Sequence, residues 1–244
     1  MEPLIVIPAR YQSSRYPGKP LAEISGKSLL RRVWERCVPV LGPEKVVVAT
    51  DDARIAAHCT AEGIRHVITS STCPTGTDRV AEVARLLRAD LYVNVQGDEP
   101  LVNPNDIQTV IDAARARPGE VINAYCSITQ ETDYRSRTRP KVVLRPDSRL
   151  LYMSRAPIPG TKEDTFEEAW KQVCIYAFPP DALHAFANNH SKTPLEAVED
   201  IEILRFLELG YEVCMVPVSA SSIAVDVPED VARVERALEQ RSGH

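Results

Sequence analysis

The chain has 244 residues, 44% of them hydrophobic, which allows one large domain with a sizeable core. A net charge of −5 argues against general nucleic-acid binding, and no apolar run approaches the roughly 20 residues that span a bilayer. Six scattered cysteines, with no CxxC pair and no Cys/His cluster, argue against structural zinc and for a reduced, cytoplasmic protein, and no basic region precedes a long apolar stretch as in a signal peptide.

Strand and helix patterns alternate through the first half. Leu4–Ile7 is an apolar strand. From Ser28, the residues Leu29, Leu30, Val33, Trp34 and Cys37 recur at helical spacing. The β-branched run 46–50 precedes Asp51-Asp52, a cap for a helix over 52–62. A strand at 66–68 and a helix opened by Thr77-Asp78 follow. Leu91–Val95 is a buried strand, then come a helix over 104–116 and a strand over 121–128. This succession predicts an α/β fold, a parallel sheet with helices on both faces.

The second half is less regular. Strands are expected at 141–144, 150–153 and 173–178, forming a small mixed-sheet extension over the site. Helices are expected over 180–189 and 195–209, the latter closed by Gly210, then a strand at 213–217 and a helix over 228–240. With no repeat and no linker, residues 1–244 read as a single domain, with a subdomain at about 130–180.

The loop after the first strand carries Arg10, Arg15, Gly18 and Lys19. Ligands of open α/β sheets bind in the crevice beyond the strand carboxyl ends, and three cations there suit a polyanion such as a nucleoside triphosphate. The alternative is a solvated basic loop; the position after a buried strand favours the polyanion. Neither GxxxxGK[ST] nor GxGxxG occurs, so side-chain cations and a metal ion must neutralise phosphate. Asp98 follows one buried strand and Asp226 follows another apolar segment. Each alone reads more readily as a cap or turn residue; together with the cationic loop they make a Mg²⁺ site. Thr75-Gly76-Thr77-Asp78-Arg79 opens a helix, whose first N–H groups suit an anion or a base carbonyl, while Arg79 reads equally as a surface pair.

These strings together closely resemble the 3-deoxy-manno-octulosonate (Kdo) cytidylyltransferases, or CMP-Kdo synthetases. The matching strings are IPARYQSSRYPGKPL at 7–21, VATDD at 48–52, TGTDR at 75–79, NVQGDEP at 94–100, KVVL at 141–144, YMSRAPIP at 152–159, IYAF at 175–178, PLEAVEDIEILRFLELG at 194–210 and VDVPED at 225–230. They span nearly the whole chain in family order. The resemblance implies a Rossmann-like nucleotidyltransferase fold, a homodimer, and Mg²⁺-assisted transfer of CMP from CTP to an acidic acceptor with release of pyrophosphate. It implies that Ala9, Arg10, Thr75, Gly76, Arg79 and Gln96 border the nucleotide. Arg10, Arg15 and Lys19 would grip phosphate, and Asp98 and Asp226 would hold metal. Gln96, Lys141, Arg155, Tyr176 and Glu202 would face the acceptor.

Departures from the family pattern gather on the acceptor side. Gln172-Val173-Cys174 stands where the family has His-Leu-Gly, Glu202-Ile203 where it has Glu-Gln, and Ser136-Arg137-Thr138, followed by Arg139, where it has Asn-Pro-Asn. Lost hydrogen-bond partners disfavour a polyhydroxylated sugar acid, and added arginines favour a smaller, denser anion. The expectation from these substitutions is an acceptor site around Gln172, Arg137 and Arg139 for a small phosphonate such as phosphonoformate, in phosphonate biosynthesis. The alternatives are a true Kdo enzyme in which the substitutions are neutral, and a non-catalytic nucleotide-binding protein.

Overall fold

The computed structural model describes residues 1–13, 15–189, 191–219 and 222–242. Strand β1 (Pro3–Pro8) leads into a cationic loop, a 3-10 turn over Lys19–Leu21 and a small hairpin of β2 (Glu23–Ile24) and β3 (Lys27–Ser28). Helix α1 (Leu29–Leu41) starts at Ser28, whose Oγ accepts a hydrogen bond from the Arg31 N–H at 3.0 Å. There follow β4 (Val46–Thr50), α2 (Ala53–Ala61), β5 (His66–Ile68), α3 (Gly76–Leu86), β6 (Leu91–Val95), α4 (Pro104–Ala116) and β7 (Val121–Ser127). The rest of the chain forms α5 (Glu131–Arg135), β8 (Lys141–Leu144), β9 (Leu150–Ser154), β10 (Trp170–Phe178), α6 (Pro180–Asn188), α7 (Pro194–Glu199), α8 (Ile203–Glu208), β11 (Val213–Pro217) and α9 (Asp230–Ser242).

The main sheet runs in the order β11-β7-β10-β6-β1-β4-β5. β1 pairs in parallel with β4 on one side and with β6 on the other. The chain therefore reverses its direction of travel across the sheet at β1, which opens a crevice beyond the carboxyl ends of β1 and β6. Both faces of the central strands are apolar, so alternate residues enter opposite cores. Ile5, Ile7, Val46 and Val48 meet Val33 of α1 and Val110 of α4. Leu4, Val6 and Val47 meet Val80 of α3, Phe186 of α6 and Phe206 of α8. Each large aliphatic side chain buried in this way contributes roughly 1.5–3 kcal/mol.

The expected parallel sheet with helices on both faces is present, with one antiparallel strand within it. β10 runs antiparallel between β6 and β7, because the chain returns through the β8–β9 hairpin instead of a crossover helix. Its first residues, Trp170 and Lys171, pair with β8, so β10 belongs mainly to the central sheet and only its start to the extension. The helix expected over 195–209 is also two helices. Asp200 stands between them at φ 52°, ψ 50°, left-handed backbone that a right-handed helix cannot continue. Lys192 pairs with its carboxylate, and Arg155 Nη2 donates to its carbonyl at 2.9 Å. Among the described residues, no helix is long and apolar enough to cross a membrane.

Candidate active site

Across the loop after β1, the Gly18 N–H donates to Tyr11 O at 2.8 Å. Gly18 has φ 73°, and a Cβ there would meet the Tyr11 ring at 3.0 Å, so both backbone and space favour glycine. The 3-10 turn that starts at Lys19 aims its side chain back at the sheet. Lys19 Nζ donates to Asp98 Oδ2 and to Val225 O, each at 2.9 Å. Asp98 follows Gly97, where a Cβ would lie 2.8 Å from Pro8 O; the ends of β6 and β1 pass too closely for any side chain. The Val225 N–H donates to Asp98 O at 2.9 Å, which brings Asp226 alongside. Asp226 Oδ1 accepts from Arg15 Nη2 at 2.9 Å and lies 4.0 Å from Lys19 Nζ.

The facing wall is the start of α3. Thr75 is its N-cap, accepting from the Asp78 N–H at 3.2 Å, while Asp78 Oδ2 accepts from the Thr75 N–H at 3.1 Å. Gly76 lies under Gln96, and a Cβ there would come within 3.1 Å of Gln96 Nε2. The N–H groups expected to meet a ligand are already taken. Gly76 and Thr77 N–H donate to Glu202 at 3.0 and 2.8 Å, and Thr77 Oγ1 donates at 2.5 Å. Burial pushes the Glu202 carboxyl up, and these three donors pull the other way. Arg79 is not a surface residue. Its guanidinium, 3% exposed, donates to Thr69 Oγ1 at 2.5 Å and pairs with Asp51 at 3.4 Å.

One pocket gathers these groups. It includes the expected Ala9, Arg10, Arg15, Lys19, Thr75, Gly76, Arg79, Gln96, Asp98, Glu202 and Asp226. Lys192 and Asp200 also line it, and the residue pattern carries no signal for either. Lys192 immediately precedes a helix cap, where a lysine is ordinarily a solvated surface charge. Five cations, Arg10, Arg15, Lys19, Arg79 and Lys192, thus face four acids in a chain whose net charge is −5. The local balance suits an anion although the whole chain is acidic.

The remaining expected residues do not line this pocket. Lys141 is wholly buried, and its Nζ donates to the carbonyls of Ser136, Arg139 and Arg155 at 2.6, 2.7 and 2.8 Å. Burial and the neighbouring Arg137 and Arg155 charges bring its pKa down to about 8. Arg155 Nε donates to Glu199 O at 2.5 Å and Nη1 to Arg137 O at 3.2 Å, so these side chains cross-link loops. Tyr176 is buried and stacks on Phe178 with ring centroids 5.8 Å apart. Gln172 Nε2 donates to Asn123 Oδ1 at 3.0 Å.

The case for a denser acceptor anion loses its basis here. Ile203, one residue beyond Glu202, is 1% exposed and packs in the core with Phe206, so its position offers an acceptor no contact. Arg139 is paired with Asp133, and Arg137 is exposed outside the pocket. Neither adds free charge to the site.

A pocket of this kind, at the reversal point of a mostly parallel sheet, defines a nucleotidyltransferase. The family model described as cytidylyltransferase matches residues 4–214. The 3-deoxy-manno-octulosonate cytidylyltransferase of Chlamydia pneumoniae is 42% identical over 236 residues, covering 96% of this chain and 92% of that one. The Escherichia coli protein of the same name is 36% identical, covering 97% and 96%. The solved structure of CMP:2-keto-3-deoxy-manno-octonic acid synthetase complexed with CTP superposes with a TM-score of 0.92 at 35% identity, covering 99% of this chain and all of that one. The chain belongs to the 3-deoxy-manno-octulosonate cytidylyltransferase family.

Proposed function

We propose that the chain transfers CMP from CTP to 3-deoxy-manno-octulosonate. The acceptor hydroxyl oxygen attacks the α-phosphorus and gives up its proton to solvent, the new O–P bond forms as the bond to the β-phosphate oxygen breaks, and pyrophosphate leaves. One observation carries the reading: a single short loop brings Arg10, Arg15 and Lys19 into one pocket, where Lys19 and Arg15 meet the carboxylates of Asp98 and Asp226. The relatives named above, alike over almost their whole length, support the acceptor.

The chain's own groups fit roles of positioning and charge neutralisation, which carry most of the work in such transfers. Arg10 and Arg15 stand where a triphosphate would enter, and Lys19 is placed to meet charge developing on the leaving pyrophosphate. Gln96, lying over Gly76, and the α3 start form the wall against which the nucleoside would rest. Asp98 and Asp226 suit Mg²⁺. They offer hard carboxylate oxygens that converge on one ammonium, and Mg²⁺ commonly takes one or two carboxylates together with substrate phosphate. When bound, the ion would polarise phosphoryl oxygens and ease activation of the acceptor hydroxyl.

The test is pyrophosphate release from CTP with a panel of acids, 3-deoxy-manno-octulosonate among them, and gel filtration of the protein tests the expected homodimer. If no acid in the panel elicits release, the reading fails and an idle nucleotide-binding protein is favoured.

A further inference from the structure

Arg205 has no solvent-exposed surface, yet its guanidinium meets two acids. Nε and Nη2 donate to Glu196 at 2.6 and 2.7 Å. Nη1 and Nη2 donate to Asp78 at 2.9 and 3.3 Å. Glu196, from α7, is wholly buried, so a bidentate ion pair within the α7–α8 segment is already complete without a second acid. Asp78 comes from a different element, α3. Its Oδ2 also accepts from Thr75 Oγ1 at 2.6 Å and from the Thr75 N–H at 3.1 Å. Thr75 lines the pocket, and Arg205 does not.

One buried cation therefore holds the acid that holds the pocket wall. Glu202, immediately before α8, grips the next two residues of the same wall. The start of α8 thus clamps the first turn of α3 at two points, one inside the pocket and one behind it. We propose that Arg205 is a positioning residue for the nucleotide, acting through Asp78 on the Thr75–Thr77 turn. The inference rests on the proposed function only in taking CTP as the ligand; the acceptor does not enter it. A misplacement of about 1 Å passed on to the reacting groups can cost about 10²-fold in rate.

The test measures CTP affinity by titration calorimetry on the full chain, beside the melting temperature. Arg205→Lys keeps a cation but cannot bridge both acids. Asp78→Asn keeps the shape of the cap but loses the charge. Each should weaken CTP binding about tenfold, and the double variant should be no worse than the weaker single, since both cut one link. Glu196→Gln disturbs the same buried cluster at the acid that caps α7 through Thr193, which does not line the pocket, and not at the acid that holds Thr75. It should lower the melting temperature and leave CTP affinity within about twofold. Affinity unchanged in Arg205→Lys and Asp78→Asn, additive losses in the double, or an equal loss in Glu196→Gln would make Arg205 merely structural and overturn the proposal. If Arg205→Lys does not fold, Asp78→Asn against Glu196→Gln decides by the same criterion. A wild-type chain that binds CTP but modifies no acid removes the proposed reaction and leaves this test standing; one that does not bind CTP overturns both.

Discussion

Lys19 Nζ lies 2.9 Å from Asp98 Oδ2, and the same ammonium is 4.0 Å from Asp226 Oδ1. One lysine from the first loop thus stands between two carboxylates that are 128 residues apart in the chain (226 − 98). It fixes their approach, and in the proposed reaction it would meet charge building on the leaving pyrophosphate.

Lys19→Ala should lower kcat more than it raises the KM for CTP. Groups that meet charge only in the transition state typically contribute about 10²- to 10³-fold to turnover. Steady-state kinetics at saturating acceptor separate the two effects. A rise in KM alone would reassign Lys19 to ground-state binding.

Asp98→Ala and Asp226→Ala should each reduce turnover by roughly 10³-fold or more, the scale of several kcal/mol of lost metal-assisted charge stabilisation. Far-ultraviolet circular dichroism should be unchanged, because both side chains are partly exposed and neither packs in a core. Chelation of divalent cations should abolish wild-type turnover, and Mg²⁺ should restore it. Either variant retaining near-wild-type turnover would remove its aspartate from the metal site.

The nucleotide half of this site is legible in the sequence for physical reasons. Buried strands appear as unbroken apolar runs, and Leu4–Ile7 and Leu91–Val95 deliver their loops to one crevice. Gly18 and Gly97 mark a positive φ and a close backbone approach that exclude other residues. The acceptor half is not legible, because residue type does not report side-chain direction. Glu202 and Ile203 are neighbours, yet one faces the pocket and the other the core. The break at Asp200 leaves no mark either, since an aspartate in left-handed backbone sits in an otherwise helical pattern. The direction of β10 is likewise invisible, because a buried strand reads the same in both orientations.

The buried Ile203 reverses an expectation about specificity. Ile203→Gln, which restores the family residue, should not raise activity with 3-deoxy-manno-octulosonate. It places an amide among apolar neighbours and should cost about 1–3 kcal/mol of stability. Among 3-deoxy-manno-octulosonate, a nonulosonic acid and phosphonoformate, the first should show the highest kcat/KM with the wild-type chain. A clear preference for phosphonoformate would revive the phosphonate reading.

Glu99, beside Asp98, gives a pH dependence whose sign is fixed by its surroundings. It is 9% exposed, and burial together with the adjacent Asp98 charge pushes its carboxyl up to about 7, although the Ser222 hydroxyl, the Cys174 N–H and the Lys171 charge pull the other way. In the unfolded chain an ordinary glutamate releases its proton near 4.5. Between these values the native state binds the proton and the unfolded state does not, so stability falls as pH rises through the window. The favourable contribution is fully present below about 4.5 and is lost above about 7. Glu99→Gln carries no such proton, so the variant should gain on the wild type as pH rises from 4.5 to 7 and keep that gain at pH 8. The whole displacement corresponds to about 3 kcal/mol as an upper bound. Urea unfolding of the metal-free chain at pH 5, 6, 7 and 8 reads it directly, as a difference between wild type and variant that cancels the other carboxylates. A difference that stays flat across that range would show that Glu99 is already ionised in the native state at pH 5.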